Sequence, residues 1–92
     1  MIHDLNTALR NYISDPKHDL YNFNLGRVYE LMGHTAAAAS FYIRTSEFSF
    51  NKLLIYEALL RLGLCFQRQG SRVFTTKGIF LRAISLLPKR PE

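Results

Sequence analysis

Apolar residues recur along this chain at spacings of three and four, and no segment alternates with a period of two. Every periodic stretch therefore reads as helix. Leu5, Ala8, Leu9, Tyr12 and Ile13 predict an amphipathic helix over residues 2–14. Ser14-Asp15-Pro16 ends it, because proline disfavours a helical conformation in the residue before it. Asp19 is placed to cap a second helix carrying Leu20, Phe23, Leu25, Val28, Tyr29, Leu31 and Met32, and Gly33 closes that helix. Thr35 is placed to cap a third, which opens on four consecutive alanines, the best helix formers, and gains bulk from Phe41, Tyr42 and Ile43. The serines and asparagine of residues 46–51 mark the next break. From about residue 52 a fourth helix runs to Gly70, apolar around most of its circumference and so expected to be buried on two sides. A fifth begins near Phe74 or Thr75 and stops before Pro88. Its apolar stripe is Ile79, Phe80, Ala83, Ile84 and Leu87, and Gly78, a candidate for close packing, lies inside it. The expectation is an all-α fold of about five antiparallel helices with short connections.

Within this pattern one motif occurs twice. Residues 25–33 read LGRVYELMG and residues 62–70 read LGLCFQRQG, 37 residues apart. In both, Leu-Gly precedes an aromatic by three residues and a second glycine by seven. A period of this size marks a repeat architecture, in which each helical unit buries its apolar face against the next. Such a fold presents surface to other molecules.

Bulk composition narrows the function classes. Ninety-two residues form a single small domain, and an apolar fraction of 48% argues for a packed core. No apolar run approaches the ~18 residues of a membrane span. No basic segment leads into an apolar one at the N-terminus, so no secretory signal is visible. The lone Cys65 fits a reducing compartment and reads as a small apolar residue inside a helix; a cytoplasmic location is expected. The net charge of +5 resides in the second half: residues 1–46 hold four basic and four acidic side chains, residues 47–92 eight and three. That imbalance favours an acidic partner.

The repeated motif resembles the tetratricopeptide repeat, a helix–turn–helix unit. Residues 19–50 form the first candidate unit and residues 52–88 the second, with helix 2–14 leading. Leu25, Gly26 and Tyr29 match the family's first helix, Gly33 its turn, and Ala38 and Tyr42 its second helix. In the second unit Leu62, Gly63, Phe66, Gly70, Phe80, Ala83 and Pro88 correspond, provided one extra residue follows Gly70. The family's tryptophan is absent from both units, and Thr45 stands where alanine is usual. The resemblance implies a short right-handed superhelix in which Gly26, Gly63, Ala38 and Ala83 let paired helices approach. The closing LLPKRPE offers no capping helix, which implies either a longer protein or pairing of the last helix with a second copy. A weaker likeness, prompted by RAISLLPKRPE, is to repeat segments of phage and marine viral proteins, some attached to glycosyltransferases.

No catalytic constellation accompanies these features, and no cofactor is expected. His3, His18, His34 and Cys65 fall in separate segments without metal-ligand spacing. His34 is expected to hydrogen-bond in the turn beside Gly33. Acidic residues are scattered, and the glycines are too far apart to cradle a phosphate. The chain thus reads as a non-catalytic module that binds a protein or peptide. The resemblance places the first helix of each unit along a concave groove, where Asn24, Arg27, Arg61 and Arg68 are the candidate contacts, beside Glu30 and Glu57. Chaperone-binding relatives grip a C-terminal carboxylate there. Asn24 and Arg61 match two of their positions, but Phe23 and Glu57 stand where lysines belong, which argues against a full clamp. A looser groove for an acidic segment is one expectation; arginines that merely pair with Glu30 and Glu57 are the plainer one. Nucleic acid is a weaker alternative, resting on Arg68, Arg72, Lys77, Arg82, Lys89 and Arg90 without a recognition motif.

Overall fold

In the computed structural model, which describes residues 4–70 and 73–88, the helical periodicity resolves into five helices. These are α1 (Leu5–Ser14), α2 (Asp19–Leu31), α3 (Thr35–Phe48), α4 (Lys52–Arg68) and α5 (Val73–Ser85), and no strand occurs among the described residues. Each helix packs against the next in chain order. The α2–α3 pair is antiparallel: the start of α2 meets the end of α3 through Asp19 and Ser49, while Tyr29 near the end of α2 stacks on Phe41 in the middle of α3. The body measures 45 × 31 × 18 Å.

The helix ends show which local signals prevailed. Asp4, with extended backbone, caps α1 by accepting from the Asn6 amide at 3.0 Å, so this helix starts at Leu5; residues 2 and 3 of the expected helix lie outside the described residues. The cap of α2 is His18, whose Nδ1 accepts from the Tyr21 amide; Asp19, expected in that role, is the first helical residue. Asp19 instead uses one carboxylate oxygen on its neighbour's amide and the other on Ser49 Oγ at 2.6 Å. Thr35 likewise lies inside α3, and His34 precedes it without a side-chain cap. Asn51 caps α4 by accepting from the amides of Leu53 and Leu54. Gly33 and Gly70 have φ of 82° and 73°, a left-handed conformation that glycine adopts without steric penalty, and each ends its helix as expected. After Gly33 the His34 amide reaches back to the Tyr29 carbonyl at 2.9 Å, so the turn bond comes from the His34 backbone; its ring stands edge-on to Tyr29.

Two apolar clusters share Tyr29. The first joins Ala8 of α1 to Leu25 and Val28 of α2, with Tyr12 and Phe41 around them. The second runs through Ala38, Ala39 and Tyr42 of α3, Ala58, Leu59, Leu62 and Cys65 of α4, and Ala83 of α5, with Phe66 packed against it. A methyl group on Gly26 would lie 2.8 Å from Tyr42 Cε1, and one on Gly63 would lie 2.5 Å from Phe80 Cε1. The same glycine–ring contact thus occurs in both halves. Its partners are 16 residues apart in the first and 17 in the second, in keeping with one extra residue after Gly70. With that offset Ala83 occupies the place of Thr45, and both are buried.

Other expectations about α5 change. It begins at Val73, and its stripe does not turn wholly inward. Ala83 is buried and Phe80 half-buried, but Ile84 and Leu87 face solvent, as does Leu81. Among the described helices α4 is the one packed closely against it, and the exposure of Leu81, Ile84 and Leu87 leaves one face open. Gly78 has open space where a side chain would project, so close packing does not explain it.

A buried polar tie was not evident in the sequence. Asn22, with no solvent exposure, donates to the carbonyls of Pro16 and His18 at 3.0 and 2.8 Å and accepts from Arg44 Nε at 2.9 Å. Arg44 also bonds the Pro16 carbonyl and lies over the rings of Tyr12 and Phe48. The α1–α2 turn is thereby fixed to α3.

The glycine contacts yield opposite expectations at two positions. Gly26→Leu drives a side chain into the fixed Tyr42 ring and is expected to destabilise by about 1–3 kcal/mol. Gly78→Ala, in open space within a helix, is expected to stabilise by about 0.5–1 kcal/mol. Urea unfolding followed by circular dichroism measures both; equal effects would contradict the packing described.

Candidate functional site

Arg27 and Glu30 lie one turn apart on α2, a spacing at which helical side chains meet. Arg27 Nη1 donates to Glu30 Oε1 at 2.9 Å. Tyr42, held against Gly26 by α3, directs its hydroxyl to the same oxygen. The second oxygen, Oε2, faces α4. Arg68 Nη1 donates to it at 2.6 Å, and Arg61 Nη1 approaches at 3.5 Å. Three helices therefore contribute to one carboxylate, whose side chain is only 4% exposed.

The arginines differ in how far they are committed to it. The side chain of Arg27 is 13% exposed, that of Arg61 31% and that of Arg68 51%. Three guanidinium groups against one carboxylate leave two positive charges. They line a cleft of about 470 Å³ together with Leu31, Gly33 and Thr35. Gly33 and Thr35 bring the first turn of α3 to the cleft, and no side chain caps that helix. Its unpaired amides and the positive end of its dipole add to the cationic character.

Burial pushes the Glu30 carboxyl up, but the hydrogen bonds from Tyr42, Arg68 and Arg27 and the charge of Arg61 outweigh it and hold the group below the ordinary carboxylate range. Burial, reinforced by the bond to Glu30, raises the Tyr42 phenol far above its usual value, so it stays protonated and remains a donor. Burial first, then the Glu30 charge, also raises the Cys65 thiol. Cys65 is fully buried in α4, an apolar filler rather than an available thiolate.

Of the four groove candidates, the structure brings Arg27, Arg61 and Arg68 together around Glu30. Asn24, half-buried on α2, is not among the residues lining the cleft. Glu57 is exposed and forms no ion pair among the described residues, so Glu30 alone takes the arginines. The roles of Tyr42 as a donor and of Gly33 and Thr35 as cleft walls were not anticipated. Tyr42 was recognisable only as a packing aromatic, because its hydroxyl partner is twelve residues away on another helix. Of the basic C-terminal set, Arg72, Lys89 and Arg90 lie outside the described residues, while Lys77 and Arg82 are exposed on α5. No group of three or more His, Cys, Asp or Glu side chains with metal-binding potential occurs among the described residues, and no helix there is long and apolar enough to cross a membrane.

Removing Glu30 strands Arg27 in a largely dry setting, so Glu30→Ala is expected to cost about 3–5 kcal/mol. Arg68 is half exposed, and Arg68→Ala is expected to cost at most about 1 kcal/mol. The folded pKa of Glu30 is depressed, so its contribution is present at neutral pH and lost as pH falls through that value. The stability difference between the native protein and Glu30→Gln, measured by urea unfolding, should therefore be widest near neutrality, begin to narrow near the ordinary carboxylate pKa of about 4.3, and vanish only below the depressed folded value. A difference independent of pH would contradict a stabilising carboxylate.

The chain matches no protein-family model, no curated protein and no solved structure.

Proposed function

We propose that this chain is a non-catalytic interaction module of the tetratricopeptide type that takes an acidic, extended segment of a partner protein in the cleft between α2 and α4. The observation that carries this reading is the convergence of Arg27, Arg61 and Arg68 on the single buried carboxylate of Glu30. An ion-pair network built only for solubility has no need of two unneutralised charges in a concave site. The glycine–ring contacts of Gly26 with Tyr42 and Gly63 with Phe80 support the helical-repeat reading, since they place corresponding residues in corresponding contacts. An overall charge of +5 adds long-range attraction for an acidic partner.

A second reading, self-association through α5, is favoured by the exposure of Leu81, Ile84 and Leu87. Leu53, Leu86, Leu87 and Pro88 also border an open cleft of about 460 Å³ beside this face. Light scattering after size exclusion separates the two: a species of twice 10.7 kDa that grows with concentration supports self-association, and a constant monomer removes it.

The main reading is tested by fluorescence anisotropy of a labelled peptide of alternating aspartate and glycine. Replacing Arg61→Glu and Arg68→Glu together reverses the sign of the cleft and is expected to abolish binding while leaving the helical circular dichroism spectrum intact. Undiminished binding by this double variant would remove the cleft from the proposal.

A further inference from the structure

We infer that the group the cleft selects is a phosphomonoester dianion, presented on a phosphorylated serine or threonine of the partner; this rests on the acidic-segment reading above. The charge of the site distinguishes between acidic ligands. With Glu30 ionised, two positive charges remain on the cleft wall. A side-chain carboxylate neutralises one of them, whereas a phosphomonoester carries a charge of about −1.5 to −2 at neutral pH.

The donors have matching geometry. A guanidinium presents five N–H groups. Arg61 and Arg68 each use one on Glu30 Oε2, and neither bonds any other acceptor among the described residues. Their remaining N–H groups form two forks on the same wall, suited to the three acceptor oxygens of a phosphoryl group. Thr35 also lines the cleft and brings to it the uncapped first turn of α3, whose amides favour an anion. Glu30 gives the site rigidity as an internal counter-ion. It anchors Arg27 and orients Arg61 and Arg68, and its own oxygens are occupied by Tyr42 and Arg27 on one side and by Arg68 and Arg61 on the other. A volume of about 470 Å³ is small for a binding site and suits a phosphoryl group with a short stretch of its peptide.

The test is isothermal titration of the full chain with three peptides that differ only at the central residue: phosphoserine, glutamate and serine in an otherwise glycine context. Phosphoserine is expected to bind at least about tenfold tighter than glutamate, and serine not measurably. Arg68→Gln, which removes the charge of a half-exposed side chain and should leave the fold intact, is expected to weaken both peptides, the phosphoserine one about tenfold and the glutamate one by clearly less. Equal affinity for phosphoserine and glutamate would overturn the inference and leave the acidic-segment reading standing. No binding of either would overturn both. Inorganic phosphate that binds as tightly as the phosphoserine peptide would overturn the assignment to a partner's side chain, and tighter binding of a single-stranded oligonucleotide would overturn the choice of a monoester.

Discussion

The contact between Gly26 and the Tyr42 ring is the constraint on which the rest of this structure depends. Because glycine leaves no Cβ in the way, α3 comes close enough to α2 for a tyrosine ring to occupy the place a side chain would take. At that depth the phenol hydroxyl meets Glu30, and the bond keeps a carboxylate ionised in a site almost closed to water. The carboxylate then draws Arg61 and Arg68 of α4 toward α2. A small residue on one helix thereby sets the position of charges supplied by another.

The second half of the chain repeats the steric part of this arrangement without the polar part. Gly63 admits Phe80 as Gly26 admits Tyr42, but Phe80 has no hydroxyl. Correspondingly Gln67, exposed on α4, stands 37 residues after Glu30, where no acid is required. The ring contact is thus a packing device common to both units, and the charged cluster is particular to the first. Two purposes can be separated on the same framework: apolar stacking holds the helices, and a local polar substitution gives one junction its chemistry.

How much of this was legible in the chain follows from the range of each interaction. Helix content and the stops at Gly33 and Gly70 were readable because period and positive φ are local properties. The caps were displaced by one residue where two neighbouring side chains could serve: His18 rather than Asp19, because Asp19 is engaged by Ser49, thirty residues away. Ile84 and Leu87 belong to an apolar stripe by period yet face outward, because a stripe says which face is apolar and not whether a neighbour covers it. The Asn22–Arg44 tie and the convergence of Arg61 and Arg68 on Glu30 depend on side chains 22 to 38 residues apart. The arginines and Glu30 could be singled out, with Glu57 as a second partner, but the convergence of all three on Glu30 alone could not. Asn24, chosen by the same helical spacing, is not part of the cleft lining.

The proposed seat of an acidic ligand is the cleft between α2 and α4. The most direct test of that proposal is a nitrogen–proton correlation spectrum of the arginine side chains, recorded while an aspartate-rich peptide is added. The Nε–Hε signals of Arg61 and Arg68 should move first and furthest, with a smaller response from the more buried Arg27 and none from Arg82 on α5. Shifts confined to Arg82, or spread evenly over every arginine, would contradict the account and mean that the peptide sees only a diffuse basic surface.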